Sequence, residues 1–122
     1  MIVGLGVDVV DVARFERAVT RTPALKPRLF APEELVRADG QERGLHSLAA
    51  RFAAKEAAFK ALGAHAGMRW IDLVVVQAAD GDPQLEVRGT AAAQAASIGA
   101  RRLHLSMSHD GGVATATVIA ED

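Results

Sequence analysis

The sequence predicts an α+β domain, a mostly antiparallel sheet packed around one long central helix. Three patterns carry that reading. At about 100° per residue, Leu45, Leu48, Ala49, Phe52 and Phe59 share one helical face and Ala50, Ala54, Ala57 and Ala61 the opposite one. A helix from near Leu45 to a C-cap at Gly63 is therefore apolar on both sides and buried. Arg101 to Asp110 alternates Leu103, Leu105 and Met107 with His104, Ser106 and Ser108, the period of a half-buried strand. Trp70 to Ala79, with three consecutive valines, and Gln84 to Arg88 flank the turn residues Asp80-Gly81-Asp82-Pro83 and form a hairpin.

From the N-terminus, Ile2 to Val10 is apolar and β-branched without alternation, the pattern of a strand buried on both faces, weakened locally by Gly4 and Gly6. Asp8 interrupts it. Asp11 caps a helix from Val12 to about Thr20, with Val12, Phe15 and Val19 on one side and Arg14, Arg17 and Arg21 in a stripe at i, i+3 and i+7. That stripe is either a solvated face or a docking strip for an acidic partner. Thr22 to Lys26 is a connector. Ala31-Pro32-Glu33-Glu34-Leu35 starts a second helix, proline at N1 and acids in its first turn, that ends near Gly40. After the long helix, a loop over Ala64 to Arg69 leads to the hairpin. Gly89 to Ser97 is helical, with Thr90 as a possible N-cap and Gly99 closing it. Gly111-Gly112 turns the chain into a last strand, Val113 to Ala120. No repeat or linker divides the chain, so residues 1–122 read as one domain.

Composition excludes several classes. Half the residues are apolar, 24% are charged and the net charge is −1, so nothing in bulk favours nucleic acid or a membrane. There is no cysteine, hence no disulfide framework or thiol chemistry. The N-terminus lacks a basic n-region and no apolar run approaches the ~20 residues of a membrane span, which makes a cytoplasmic protein the expectation. Four histidines without His-x-x-x-His spacing argue against zinc. Adjacent Ser108, His109 and Asp110 cannot form a hydrolase triad, which needs separated elements. A Walker A loop is missing, and Gly4-x-Gly6 lacks the third glycine of a dinucleotide fingerprint.

What remains unexplained is acidic. Glu56 falls in the middle of the bulky apolar helix face, with Lys60 one turn on. An exposed pair of this kind is an ordinary helix ion pair, but a buried carboxylate needs a counter-charge. Asp8 poses the same problem on the first strand, which carries no basic residue. Two such acids suggest a shared divalent cation, and so few carboxylates favour Mg²⁺, which keeps waters and takes substrate phosphate oxygens. Lys55 and Lys60 would flank those phosphates as point charges. The cluster from Ser106 to Gly112 is either a plain strand end and turn or a phosphate or nucleotide contact.

Gly6-Val7-Asp8-Val9-Val10, the run Arg51-Phe52-Ala53-Ala54-Lys55-Glu56-Ala57-Ala58-Phe59-Lys60-Ala61-Leu62-Gly63, then Leu105-Ser106-Met107-Ser108-His109 and the closing Val118-Ile119-Ala120-Glu121 resemble the holo-[acyl-carrier-protein] synthase family. That family is the small, single-domain class of 4′-phosphopantetheinyl transferases. The match runs the whole chain in order, and Arg28-Leu29-Phe30 and Trp70-x-Asp72 also look like family positions. The resemblance implies the corresponding transferase fold and transfer of the phosphopantetheine arm of coenzyme A to a serine of apo acyl carrier protein, in fatty-acid or polyketide biosynthesis. It implies Asp8 and Glu56 as Mg²⁺ ligands, Lys60 on the phosphates of coenzyme A, and His109 in the coenzyme A site. Lys55, Gly63 and Ser108 are the remaining expected coenzyme A contacts. It also implies a homotrimer with active sites between subunits, and a first helix that docks the acidic carrier through Arg14, Arg17 and Arg21. For the proton of the carrier serine, Glu56 through a metal-bound water is the first candidate acceptor, and His109 or Asp110 the second.

Two positions depart from the family's pattern. Ala64-His65 stands where Thr-Gly often follows Leu-Gly, which puts loop contacts to phosphate in question, and Ala31 stands where a capping threonine is common. Two other readings stay open from sequence. One is a non-catalytic coenzyme A or nucleotide-binding module; the other is an interaction protein that uses the arginine stripe.

Overall fold

In this computed structural model, residues 1–63 and 67–122 are described. The alanine-rich stretch forms α3, Leu45–Leu62, and Gly63 ends it in the left-handed conformation at φ 68°, where a Cβ would be strained. Ahead of α3 come β1 (Ile2–Asp11), α1 (Val12–Arg21) and α2 (Leu25–Leu29). Behind it come β2 (Leu73–Gln77), β3 (Pro83–Val87), α4 (Gly89–Ser97), β4 (Arg102–Asp110) and β5 (Val113–Glu121). The strands form an antiparallel sheet of order β1-β5-β4 and a separate β2-β3 hairpin. The α+β expectation holds, with α3 buried between the sheet's inner face and the hairpin.

Two glycines set how close helix and sheet come. A Cβ at Gly4 would stand 1.8 Å from the carbonyl oxygen of Ala61, and one at Gly6 1.9 Å from that of Ala57. Backbone therefore lies on backbone, with alanine supplying the helix side of the contact. This overturns the expectation that β1 is buried on both faces. Gly4, Gly6, Asp8 and Val10 point inward, while Val3, Leu5, Val7 and Val9 form an exposed outer face, Leu5 being 61% accessible. The strand does alternate; the inward positions are small or acidic, which hides the period from a hydrophobicity count.

Other elements match or differ for local reasons. Asp11 caps α1 by accepting from the Arg14 backbone N–H at 2.9 Å, and Val12, Phe15 and Val19 are buried as expected. The expected connector, Thr22 to Lys26, holds through Ala24, and from Leu25 the chain forms the short helix α2. Pro27 is tolerated there because it falls in the first turn, where its missing N–H has no helical acceptor. The expected second helix is a single 3-10 turn, Pro32–Glu34, after which the chain makes a Val36–Glu42 bridge. Ala31 has no side chain to cap it; the Glu34 carboxylate accepts from the Ala31 N–H instead, at 3.0 Å. Trp70–Asp72 is likewise a 3-10 turn rather than the start of a strand. Thr90 is not the cap of α4 but lies within its first turn, its N–H and hydroxyl both donating to Asp72, at 2.9 and 2.6 Å. Gly111 and Gly112, at φ 57° and 82°, supply the two positive φ values of a tight hairpin turn.

Gly6→Ala is expected to force β1 away from α3 and to lower stability by about 2–3 kcal/mol, read as a fall in the urea midpoint. An unchanged midpoint would mean that the sheet can shift without cost.

Candidate functional site

Asp8, Glu56 and Lys60 come together where β1 crosses α3. Gly6 seats on Ala57, so Asp8, two residues on and on the same face, is held against the helix. Glu56 and Lys60 are one turn apart, and side chains on a helix lean toward its N-terminus, which carries both toward Asp8. The Lys60 ammonium donates to Asp8 Oδ1 and to the Val7 carbonyl, each at 2.9 Å. Asp8 is only 11% exposed and Lys60 56%, so the carboxylate is held inside while the lysine opens to solvent.

The second Asp8 oxygen, Oδ2, is buried and has no hydrogen-bond partner. Glu56 lies beside it. Burial, then the adjacent Asp8 carboxylate, push the Glu56 carboxyl up to about 7, against a smaller opposing pull from Lys60. Two carboxyl groups thus share one side of a half-buried site, with one oxygen unpaired. Among the described residues no cluster of three or more His, Cys, Asp or Glu could cage a metal. Two hard oxygen donors and an orphaned acceptor suit a cation that completes its shell with waters and substrate oxygens, as Mg²⁺ does. A groove of about 350 Å³ opens beside Glu56, walled by Val9, Phe15, Leu25, Leu29 and Phe52, with Arg14 at its edge.

Lys55 is elsewhere. Its ammonium is fully buried and spends all three hydrogens, on Glu34 Oε1 at 2.6 Å, the Leu73 carbonyl at 2.6 Å and the Trp70 carbonyl at 3.1 Å. Burial pulls its pKa below the usual lysine range and Glu34 pulls it back up. The expectation that Lys55 flanks a phosphate is corrected: one residue before Glu56 is about 100° away around the helix, toward the hairpin.

The remaining expected residues are spread out. His109 is paired across β5 with the row of Ala114 and Val10, so β5 separates it from β1 by two strand spacings, about 10 Å. Ser108 and Asp110 belong to the outer-face rows of Thr115 and Val113, on the side of the sheet opposite Asp8. Within one chain, none of the three joins Asp8 and Glu56. Gly63 is exposed, and the Gln94 amide donates to the carbonyls of Leu62 and Gly63, at 2.8 and 3.3 Å. Arg14, Arg17 and Arg21 are all exposed on α1, Arg14 beside the Glu56 groove and the other two bordering Glu16 and Thr20. The altered positions Ala64 and His65 lie outside the described residues.

Sequence reasoning missed two residues. Glu34 is read there as a helix-start acid, yet it is buried and bonds Lys55, Ala31 and the Val75 N–H. Arg51 is 6% exposed, donates to Ser47 Oγ at 2.8 Å, and leaves its Nε without an acceptor. Burial, then the neighbouring Arg43, pull its pKa down to about 10. The available signal was the phase of α3: Arg51 and Lys55 lie one turn apart on a face that also carries Leu48 and Leu62 inward, and a buried lysine calls for an acid such as Glu34.

A model of the 4′-phosphopantetheinyl transferase superfamily matches residues 4–117. The holo-[acyl-carrier-protein] synthase of Streptomyces griseus subsp. griseus is 54% identical over 121 residues, covering 99% of each chain. Among solved structures, the holo-[acyl-carrier-protein] synthase of Neisseria meningitidis superposes with a TM-score of 0.87 at 32% identity, covering 100% of both chains. The Helicobacter pylori synthase in complex with coenzyme A does so at 0.82 and 28% identity, covering 96% of this chain and 99% of that one.

Glu34→Ala would leave the Lys55 ammonium buried and unpaired, and is expected to lower stability by about 3–5 kcal/mol in urea unfolding. A loss under about 1 kcal/mol would show that Lys55 reaches water.

Proposed function

Because the chain belongs to the 4′-phosphopantetheinyl transferase superfamily, we infer that it acts as a holo-[acyl-carrier-protein] synthase. It transfers 4′-phosphopantetheine from coenzyme A to a serine of apo acyl carrier protein. The serine oxygen forms a new bond to the β-phosphorus, the bond to the adenosine side of the diphosphate breaks, and adenosine 3′,5′-bisphosphate leaves. The observation that carries the placement of this chemistry is the buried, unpartnered Asp8 Oδ2 beside Glu56 and Lys60.

Asp8 and Glu56 would hold Mg²⁺, whose chemistry is to neutralise negative charge on the diphosphate under attack. Lys60, already anchored on Asp8 and the Val7 carbonyl, extends a fixed positive charge toward solvent where the departing bisphosphate develops its own. Glu56 is the leading acceptor for the serine proton, ahead of His109 and Asp110. Arg14, next to the Glu56 groove, and Arg17 and Arg21 further along α1 offer the acidic carrier a basic strip that leads to the site.

The outer face of the sheet supports a homotrimer. Val3, Leu5, Val7 and Val9 leave an aliphatic row exposed along β1, and a neighbouring copy would cover it. Within one chain His109 stays two strands from Asp8, so a part for His109 in this reaction requires a neighbouring copy. The whole of 1–122 then serves as one transferase domain, working in the cytoplasm in fatty-acid or polyketide biosynthesis. No described helix is long and apolar enough to cross a membrane.

Incubated with coenzyme A, Mg²⁺ and apo carrier protein, the protein is expected to raise the carrier's intact mass by one phosphopantetheine. Asp8→Ala and Glu56→Ala should each cut the rate at least about a hundredfold. No mass gain across several apo carriers would overturn the reading.

Divalent-ion affinity should also follow pH with a definite sign. The Glu56 carboxyl is raised to about 7, so below that pH its proton competes with the cation. Mn²⁺ affinity is expected to rise about tenfold per pH unit up to about 7 and then level, a trend that titrations from pH 5.5 to 8.5 would show. A flat profile would remove Glu56 from the cation site.

A further inference from the structure

The face that α3 presents to β1 is made of alanine, and the strand opposite it is glycine, so this contact is smooth. It brings the two elements close but has no side-chain knobs to stop the helix turning about its own axis. Glu56 nevertheless has to meet Asp8 across that contact. A carboxylate about 6 Å from the helix axis moves about 1 Å for a 10° rotation, which is enough to spoil a ligand pair. Lys60 does cross the contact to Asp8 and the Val7 carbonyl, but through a long arm that is more than half exposed; a firmer stop on rotation has to lie in another quadrant of the helix.

Lys55 is placed to do so. It precedes Glu56 and points toward the hairpin, where its three hydrogen bonds reach three separate elements: Glu34 of the 3-10 turn, the Trp70 carbonyl and the Leu73 carbonyl of β2. Its ammonium also sits 5.3 Å from the Phe30 ring centroid. Glu34 is equally saturated, with Oε1 accepting from Ala31 and Lys55 and Oε2 accepting from Val75 at 3.0 Å. Phe52 and Phe59 also touch Trp70, at 5.4 and 4.3 Å between centroids, but ring contacts tolerate sliding where directional bonds to a fully buried ammonium do not.

We propose that Lys55 and Glu34 are positioning residues for the Asp8–Glu56 pair: the buried ion pair sets the rotation of α3, and through it the place where the Glu56 carboxylate meets Asp8. The inference rests on reading Asp8 and Glu56 as cation ligands. Neither Lys55 nor Glu34 touches the substrate.

The test uses the full-length protein and two variants. Glu34→Gln combined with Lys55→Met replaces both charges by neutral groups of similar length, and the glutamine carbonyl oxygen can still accept from Val75. Glu34→Asp keeps the charges and shortens the carboxylate arm by one methylene. Stability is read from urea midpoints, Mn²⁺ affinity from loss of the free-ion EPR signal, and transfer from intact mass as kcat and carrier KM. The double variant leaves the Trp70 and Leu73 carbonyls and the Ala31 N–H without these partners, so its midpoint is expected to fall; as folded protein it is expected to bind Mn²⁺ about tenfold more weakly and to lose about tenfold in kcat with carrier KM unchanged. Glu34→Asp is expected to weaken Mn²⁺ about threefold. Folded variants with wild-type Mn²⁺ affinity and kcat would overturn the inference and leave the ion pair a stability element only. If the double variant does not fold, Glu34→Asp decides alone. A wild-type protein that binds no Mn²⁺ overturns the cation-site reading and this inference with it, whereas wild-type binding with unaffected variants overturns this inference only.

Discussion

Two carboxyl groups are held side by side in a half-buried site, and most of the structure follows from what makes that tolerable. Like charges at close range repel, and burial strengthens the repulsion. Glu56 responds by keeping its proton until about pH 7, and Asp8 by taking the Lys60 ammonium on one oxygen while the other stays unpaired. The arrangement persists because it is imposed from outside. Gly4 and Gly6 let β1 lie on the backbone of Ala61 and Ala57, and any side chain there would open the cleft between Asp8 and Glu56. What the fold leaves there is one buried, unpaired Asp8 oxygen beside a carboxyl that keeps its proton until about pH 7.

The helix that carries this site separates two kinds of lysine by phase alone. Lys60 leans back over Asp8 and ends more than half exposed, free to offer its charge to an anion. Lys55, five residues earlier, ends fully buried with every hydrogen committed. Composition treats the two alike. Their surroundings do not: one faces an acid at the mouth of a groove, the other an acid within the core.

That contrast marks how far the sequence could be read. The long helix, its glycine stop, the β2-β3 hairpin, the alternation of β4 and the Asp11 cap rest on local chemistry, and all appear with bounds within a few residues of expectation. The convergence of Asp8, Glu56 and Lys60 was legible because a stranded acid on an apolar element demands a partner. Lys55 was misread because its partner, Glu34, sits 21 residues away in a turn expected to be an exposed helix start. The burial of β1 was misread because glycine is silent on a hydrophobicity scale. Its meaning, a helix backbone within contact distance, exists only in three dimensions.

The same strand then accounts for the rest of the architecture. Along β1, the inward positions run Gly4, Gly6, Asp8, Val10, and the outward positions Val3, Leu5, Val7, Val9. The inward set seats the helix, places Asp8 beside Glu56 and joins the core; the outward set is an exposed aliphatic row. Because side chains alternate with a period of two, a slip of one residue would exchange the sets completely. Valine and leucine would collide with Ala57 and Ala61, and Asp8 would face away from Glu56. The pairing of β1 with β5, from Gly4 with Ala120 to Asp11 with Val113, therefore fixes the Asp8–Glu56 pair and the exposed aliphatic face in one step. Neither can be moved along the strand without moving the other.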